Sequence, residues 1–173
     1  MRYAVAAAFV GTVIAANWAL ETYGVVPLGF GLEGPAGVFF AGLGFLLRDL
    51  LHEVGGRAWV LGAIGVGALV SWWVSDSATI PGGLVPIALA SGCAFLLSEF
   101  ADFSVYAPLR DRTIAGAVGL SQVVGAVVDS ALFLWLAFGS LAFFWGQFVG
   151  KIYMVLPVLL ALVAWRGLRA VPA

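Results

Sequence analysis

Long apolar runs separated by short polar or Gly-rich breaks make up nearly the whole chain. A helix needs about 20 mostly apolar residues to cross the hydrocarbon core of a bilayer. Six runs approach that length: about Tyr3–Ala19, Pro35–Val54, Ala58–Val74, Gly82–Tyr106, Ile114–Gly139 and Phe144–Trp165. The breaks leave no room for a soluble domain. Gly24 to Gly34 reads as a Gly-rich turn, and "SDSATIPGG" joins the third run to the fourth. The pattern predicts an all-α integral membrane protein. It is a six-transmembrane-helix bundle forming a single membrane domain over residues 1–173, with sequential helices as antiparallel neighbours. The first run follows Arg2 and has the outline of a signal peptide. No A-x-A site precedes the polar stretch Asn17–Glu21, so it is read as a retained helix.

Composition agrees. The chain is 63% hydrophobic and 10% charged, where a soluble domain carries about 25% charged residues. A net charge of −1 offers no basic face for nucleic acid. One Cys (Cys93) and one His (His52) exclude an internal disulfide and a Cys/His metal set. The charges also sort by side. Arg2, Arg57, Arg110, Arg112, Arg166 and Arg169 fall at one set of ends, whereas Glu21, Glu33 and Asp76 fall at the other, whose loops carry no Lys or Arg. The positive-inside rule then places both termini in the cytoplasm of a multi-pass protein of the cytoplasmic (inner) membrane. Removing any one helix breaks the segregation. Gly62, Gly65 and Gly67 thin the third helix, and Gly116, Gly119 and Gly125 the fifth, which suits close helix packing and is compatible with a homodimer.

Against this background the polar residues inside the runs stand out, because an ionisable group at the bilayer centre costs about 2.5–3.5 kcal/mol. In the second run, "RDLLHEVGGR" sets Arg48 four residues before His52 and Asp49 four before Glu53, on neighbouring helix faces. This group reads as a solvated helix end with structural ion pairs, or as a gate against the fourth helix. "SEFADFSVY" in the fourth run puts Glu99 and Asp102 three apart on one face, at the depth of Arg48. They either pair with Arg48 or bind a solute. The fifth run carries Ser121, Gln122 and Asp129, the last two seven apart along one face, and the sixth carries Gln147 and Lys151, four apart on one face. These two helices run in opposite directions, so Asp129 and Lys151 fall level in the outer half. Buried ion pairs often only break even with hydrophobic packing. A polar cavity open to the outside explains the pair better than stability does. Asn17, near the outer end of the first helix, caps, meets headgroups or rims the same cavity.

Acids and amides converging from several helices suit a small-molecule carrier. A membrane enzyme would need a nucleophile–base pair or a metal set. His52 at a helix end supplies neither, so no catalytic residue, metal ligand or cofactor is assigned. A third reading is an assembly subunit whose polar residues only hold helices together.

In order along the chain, these residues resemble the VUT family, the YhhQ-like transporters of vitamins or queuosine precursors. The resemblance rests on "AAN" with Asn17, on "GPAGVFFAGLGFLLRDLLHEVGGRAW" with Asp49, Glu53 and Gly56, and on "SEFADFSVYAPLR" with Glu99 and Asp102. It continues through "SQVVGAVVDSALFLWLAFG" with Asp129 and Ser130, and "GQFVGKIYMVLP" with Gln147, Lys151 and Pro157. The second helix lacks a Pro expected in its apolar half, and the chain is short for the family. The resemblance implies six helices laid out like the substrate-binding components of energy-coupling-factor transporters, acting without the ATPase module. It also implies uptake of 7-deazaguanines such as 7-cyano-7-deazaguanine, its aminomethyl form or queuine. The side chains are compatible with such a base. A carboxylate (Glu99, Asp102 or Asp129) can accept two parallel N–H donors, and Lys151, Gln122 or Gln147 can donate to the ring carbonyl. Phe133, Trp135 or Tyr153 can stack on the ring. Transport of another vitamin-like molecule remains the alternative.

Overall fold

The computed structural model describes residues 1–74, 79–109, 114–154 and 156. Its elements in order are α1 (Arg2–Tyr23), β1 (Val25–Gly29), β2 (Leu32–Pro35), α2 (Val38–Gly55), α3 (Arg57–Val74), α4 (Ile87–Leu109) and α5 (Ile114–Phe138). A further helix, α6, covers 144–154. Each expected run thus contains a helix. The later part of the sixth run lies outside the described residues, as do Asp76, Arg110, Arg112, Arg166 and Arg169 of the charge map.

The Gly24–Gly34 stretch is not a simple turn. Val25 and Val26 begin an antiparallel hairpin in which Val25 pairs with Pro35, Val26 with Gly34 and Pro27 with Glu33. Phe30 and Gly31 both take positive φ, 53° and 74°, as the tight two-residue hairpin turn requires. Three features hid the strands: they are short, Pro27 sits inside one, and Phe30 occupies a place usually held by Asn or Gly. The hairpin also delays α2. Pro35 ends β2, and the Ala36 N–H donates to the Gly24 carbonyl at 2.9 Å, so the helix starts at Val38.

Helix ends follow local chemistry. At Gly56, φ is 79° and the N–H donates to the His52 carbonyl, closing α2 with no Cβ penalty and letting α3 begin at once. Before α4, the Leu84 and Val85 N–H groups both donate to the Leu136 carbonyl, tying this loop to the end of α5. Pro86 then precedes the first helical residue, Ile87.

Two apolar clusters hold the helices. Phe9, Val13, Phe45, Leu51, Val60, Ile64 and Phe95 join α1 to α4. Leu20, Ile87, Ala94, Phe133 and Leu134 join α1, α4 and α5. The hairpin is held to α6 by backbone contact. A Cβ on Gly146 would lie 1.9 Å from the Glu33 carbonyl oxygen. Gly146→Ala is therefore expected to cost about 1–3 kcal/mol by overpacking, read as a lower melting temperature in detergent. An unchanged melting point would show that the seam can part.

Among the described residues, Arg2–Tyr23, Ile87–Leu109 and Leu120–Phe138 are each long and apolar enough to cross a membrane. Arg57–Trp73 is apolar but shorter, and α2 carries Arg48, Asp49 and Glu53 in its second half. Large apolar side chains such as Leu69, Trp73, Trp135 and Trp145 point outward. The architecture is that of an all-α membrane protein with one small hairpin.

Candidate functional site

Among the described residues, the buried charged and amide side chains sort into two layers, one nearer the hairpin and one toward the opposite end of the bundle.

In the first layer, α1 turns Asn17 toward α4, where the Ser91 hydroxyl donates to Asn17 Oδ1 at 2.6 Å. Asn17 Nδ2 is buried and has no hydrogen-bond partner among the described residues. On α6, Gln147 follows the glycine pressed against the hairpin, and its Oε1 is likewise buried and unpartnered. Four residues on, Lys151 is only 2% exposed. Its ammonium donates to Asp129 Oδ2 and to the Ser130 hydroxyl at 2.8 Å. An ammonium has three N–H donors, and these two bonds engage two of them. Phe45 of α2 lies beside it, its ring centroid 5.5 Å from Nζ.

Asn17, Ser91, Asp129 and Gln147 line one cavity, with Phe95 and Phe133 among its apolar walls. It measures about 20 Å³, room for roughly one water. Buried polar atoms are normally hydrogen-bonded, so an unpartnered amide nitrogen and an unpartnered amide oxygen on two residues that line one cavity are a concentrated exception. Amide orientation follows from the surrounding bonds. Whichever way Asn17 is turned, Ser91 satisfies one end and leaves the other.

The second layer centres on Arg48, also 2% exposed. Its guanidinium donates to Asp49 Oδ1 from Nε at 3.1 Å and from Nη2 at 2.9 Å. Nε also lies 3.4 Å from Glu99 Oε2, and Nη2 lies 3.9 Å from Asp102 Oδ1. Gln122 of α5 donates to the other oxygen of Asp49. Three carboxylates thus face one guanidinium, yet among the described residues Arg48 Nη1 and Asp102 Oδ1 remain buried without a hydrogen bond. The Phe45 ring separates the layers. Its centroid lies 4.7 Å from the Arg48 guanidinium and 5.6 Å from the Phe95 ring.

Of the residues singled out in the sequence, Asn17, Asp129 and Gln147 reach the cavity, and Lys151 is held just behind it by Asp129. Arg48, Asp49, Glu99, Asp102 and Gln122 form the second group. Gln122 and Asp129, on one face of α5, serve different layers. His52 and Glu53 are exposed and join neither. Ser121 is buried. Of the stacking candidates, Phe133 lines the cavity, Trp135 is 53% exposed, and Tyr153 is half-buried and not part of the lining. Sequence reasoning missed Ser91, a lone hydroxyl in an apolar stretch that deserved the weight given to Asn17. It also missed Phe45 and Phe95, which carry no signal among 13 Phe residues.

Two buried amides, one acid and one hydroxyl, each from a different helix, close on one cavity of a helical membrane protein, the arrangement that membrane transporters use. The chain is a member of the family described as "Putative vitamin uptake transporter", whose model matches residues 35–165. The match includes Arg48, Glu99, Asp129, Gln147 and Lys151, and α1 with Asn17 precedes it. Searches of curated proteins and of solved structures returned no match.

Proposed function

We propose that the protein imports queuosine precursors, 7-deazaguanines, across the cytoplasmic membrane as a single six-span domain with both termini cytoplasmic. The base binds in the cavity between α1, α4, α5 and α6. The observation that carries this reading is the pair of unpartnered amide atoms, Asn17 Nδ2 and Gln147 Oε1, on a cavity that Asp129 also lines. A 7-deazaguanine presents a ring carbonyl beside a ring N–H, with an exocyclic amine next to that. Asn17 donates to the carbonyl, Gln147 accepts from the N–H, and Asp129 accepts from the amine while keeping Lys151. Phe95 and Phe133 supply apolar walls for the ring. At about 20 Å³ the cavity is smaller than the base, so the proposal requires the helices to part as the base enters. Nothing in this scheme calls on an ATPase module or a catalytic group.

The test is thermal. Purified protein in detergent is expected to melt higher with millimolar 7-cyano-7-deazaguanine, since ligand at 100 times Kd adds about 2.7 kcal/mol to the folded state. A melting curve indifferent to all three 7-deazaguanines, but raised by another flat lactam, would move the assignment to a different vitamin-like substrate.

A further inference from the structure

The two polar layers share a chemical signature. In the layer near the hairpin, one buried donor (Asn17 Nδ2) and one buried acceptor (Gln147 Oε1) lack partners. In the Arg48 layer, one buried donor (Arg48 Nη1) and one buried acceptor (Asp102 Oδ1, which has only the 3.9 Å ion-pair contact with Arg48 Nη2) lack hydrogen bonds among the described residues. A ligand edge with a carbonyl beside an N–H satisfies either pair. Next to each pair stands a further carboxylate, Asp129 in the first layer and Glu99 in the second, the latter 3.4 Å from Arg48 Nε. Along α5 the layers are marked by Asp129 and Gln122, seven residues and so about 10.5 Å apart. The Phe45 ring lies against both cations, Lys151 on one layer and Arg48 on the other.

We infer that the Arg48–Glu99–Asp102 cluster is a second binding station for the same lactam-bearing substrate, reached from the first by displacement of Phe45. The inference rests on the transport reading above and adds to it an ordered path. The substrate exchanges the Asn17–Gln147 pair for the Arg48–Asp102 pair before release at the far end. Each station replaces the hydrogen bonds lost at the other, so the ligand is not stranded unpaired between them. Arg48 has already spent its Nε and Nη2 edges on Asp49, Glu99 and Asp102. That leaves Nη1 as the donor a ligand would meet.

The experiment measures half-saturation from each face separately, in proteoliposomes of purified full-length protein loaded with radiolabelled 7-cyano-7-deazaguanine on one side. Asp102→Ala is expected to raise half-saturation at the far face at least tenfold and to leave the hairpin face within twofold. Asn17→Ala is expected to do the reverse. Asp102→Asn, which keeps an acceptor oxygen and the side-chain shape, should lie between wild type and Asp102→Ala, and it replaces Asp102→Ala if that variant does not fold. Parallel shifts at both faces in the Asp102 variants, or none at either, would overturn the second station while leaving wild-type uptake, and so the transport reading, intact. Failure of the wild-type protein to move the base would overturn the substrate reading and this inference together.

Discussion

Lys151→Met is expected to strip the protein of most of its folded population. The methionine cannot neutralise Asp129 or accept the place of an ammonium beside Ser130, and both are buried. Removing one partner of a buried ion pair costs about 3–5 kcal/mol, because the remaining charge is left uncompensated. The readout is the monodisperse peak in gel filtration and the melting temperature. Adding Asp129→Asn to Lys151→Met removes the stranded charge and should recover at least half of the lost peak. Uptake by the double variant then separates two roles. Recovered fold without recovered uptake assigns the pair to the substrate cavity, and recovery of both makes it scaffolding. A single Lys151→Met variant as stable as wild type would mean that Asp129 finds another partner.

Arg48→Met carries an equal or larger penalty. Glu99 is buried at 2% exposure and has Arg48 as its ion-pair partner among the described residues. Asp49 and Asp102 would face it with no cation between them. A loss of about 3–5 kcal/mol or more is expected, and melting curves would register it. Glu99→Gln alone should cost less, since Arg48 keeps Asp49 and Asp102 and the amide oxygen can still accept. Arg48→Met with Glu99→Gln should be more stable than Arg48→Met. If it is not, Glu99 contributes little to the cluster and Asp102 dominates.

The sequence made the fold legible where the physics is one-dimensional. Run length located a helix in each of the six runs, and helical spacing put Glu99 with Asp102 and Gln147 with Lys151 on common faces. Opposite helix directions correctly levelled Asp129 with Lys151. Legibility failed where three-dimensional packing decides. Seven residues on one face placed Gln122 and Asp129 together by period, yet the Phe45 ring, supplied by another helix, divides their surroundings. Ser91 gained its meaning only from Asn17, 74 residues away in sequence. The hairpin escaped because five residues interrupted by Pro27 carry too little alternation to outweigh the glycines around them.

The Arg48 cluster also constrains how the chain can be made. Within α2, Arg48 has Asp49 as its carboxylate partner, and Glu99 and Asp102 lie about 50 residues further on. At about 5–20 residues per second a ribosome takes roughly 3–10 s to reach them. During that interval α2 is a poor candidate to sit alone in lipid, since an arginine near mid-span costs about 2.5–3.5 kcal/mol on the insertion scale. The expected consequence is that α2 stays outside the hydrocarbon until α4 arrives with Glu99 and Asp102, the carboxylates that neutralise Arg48.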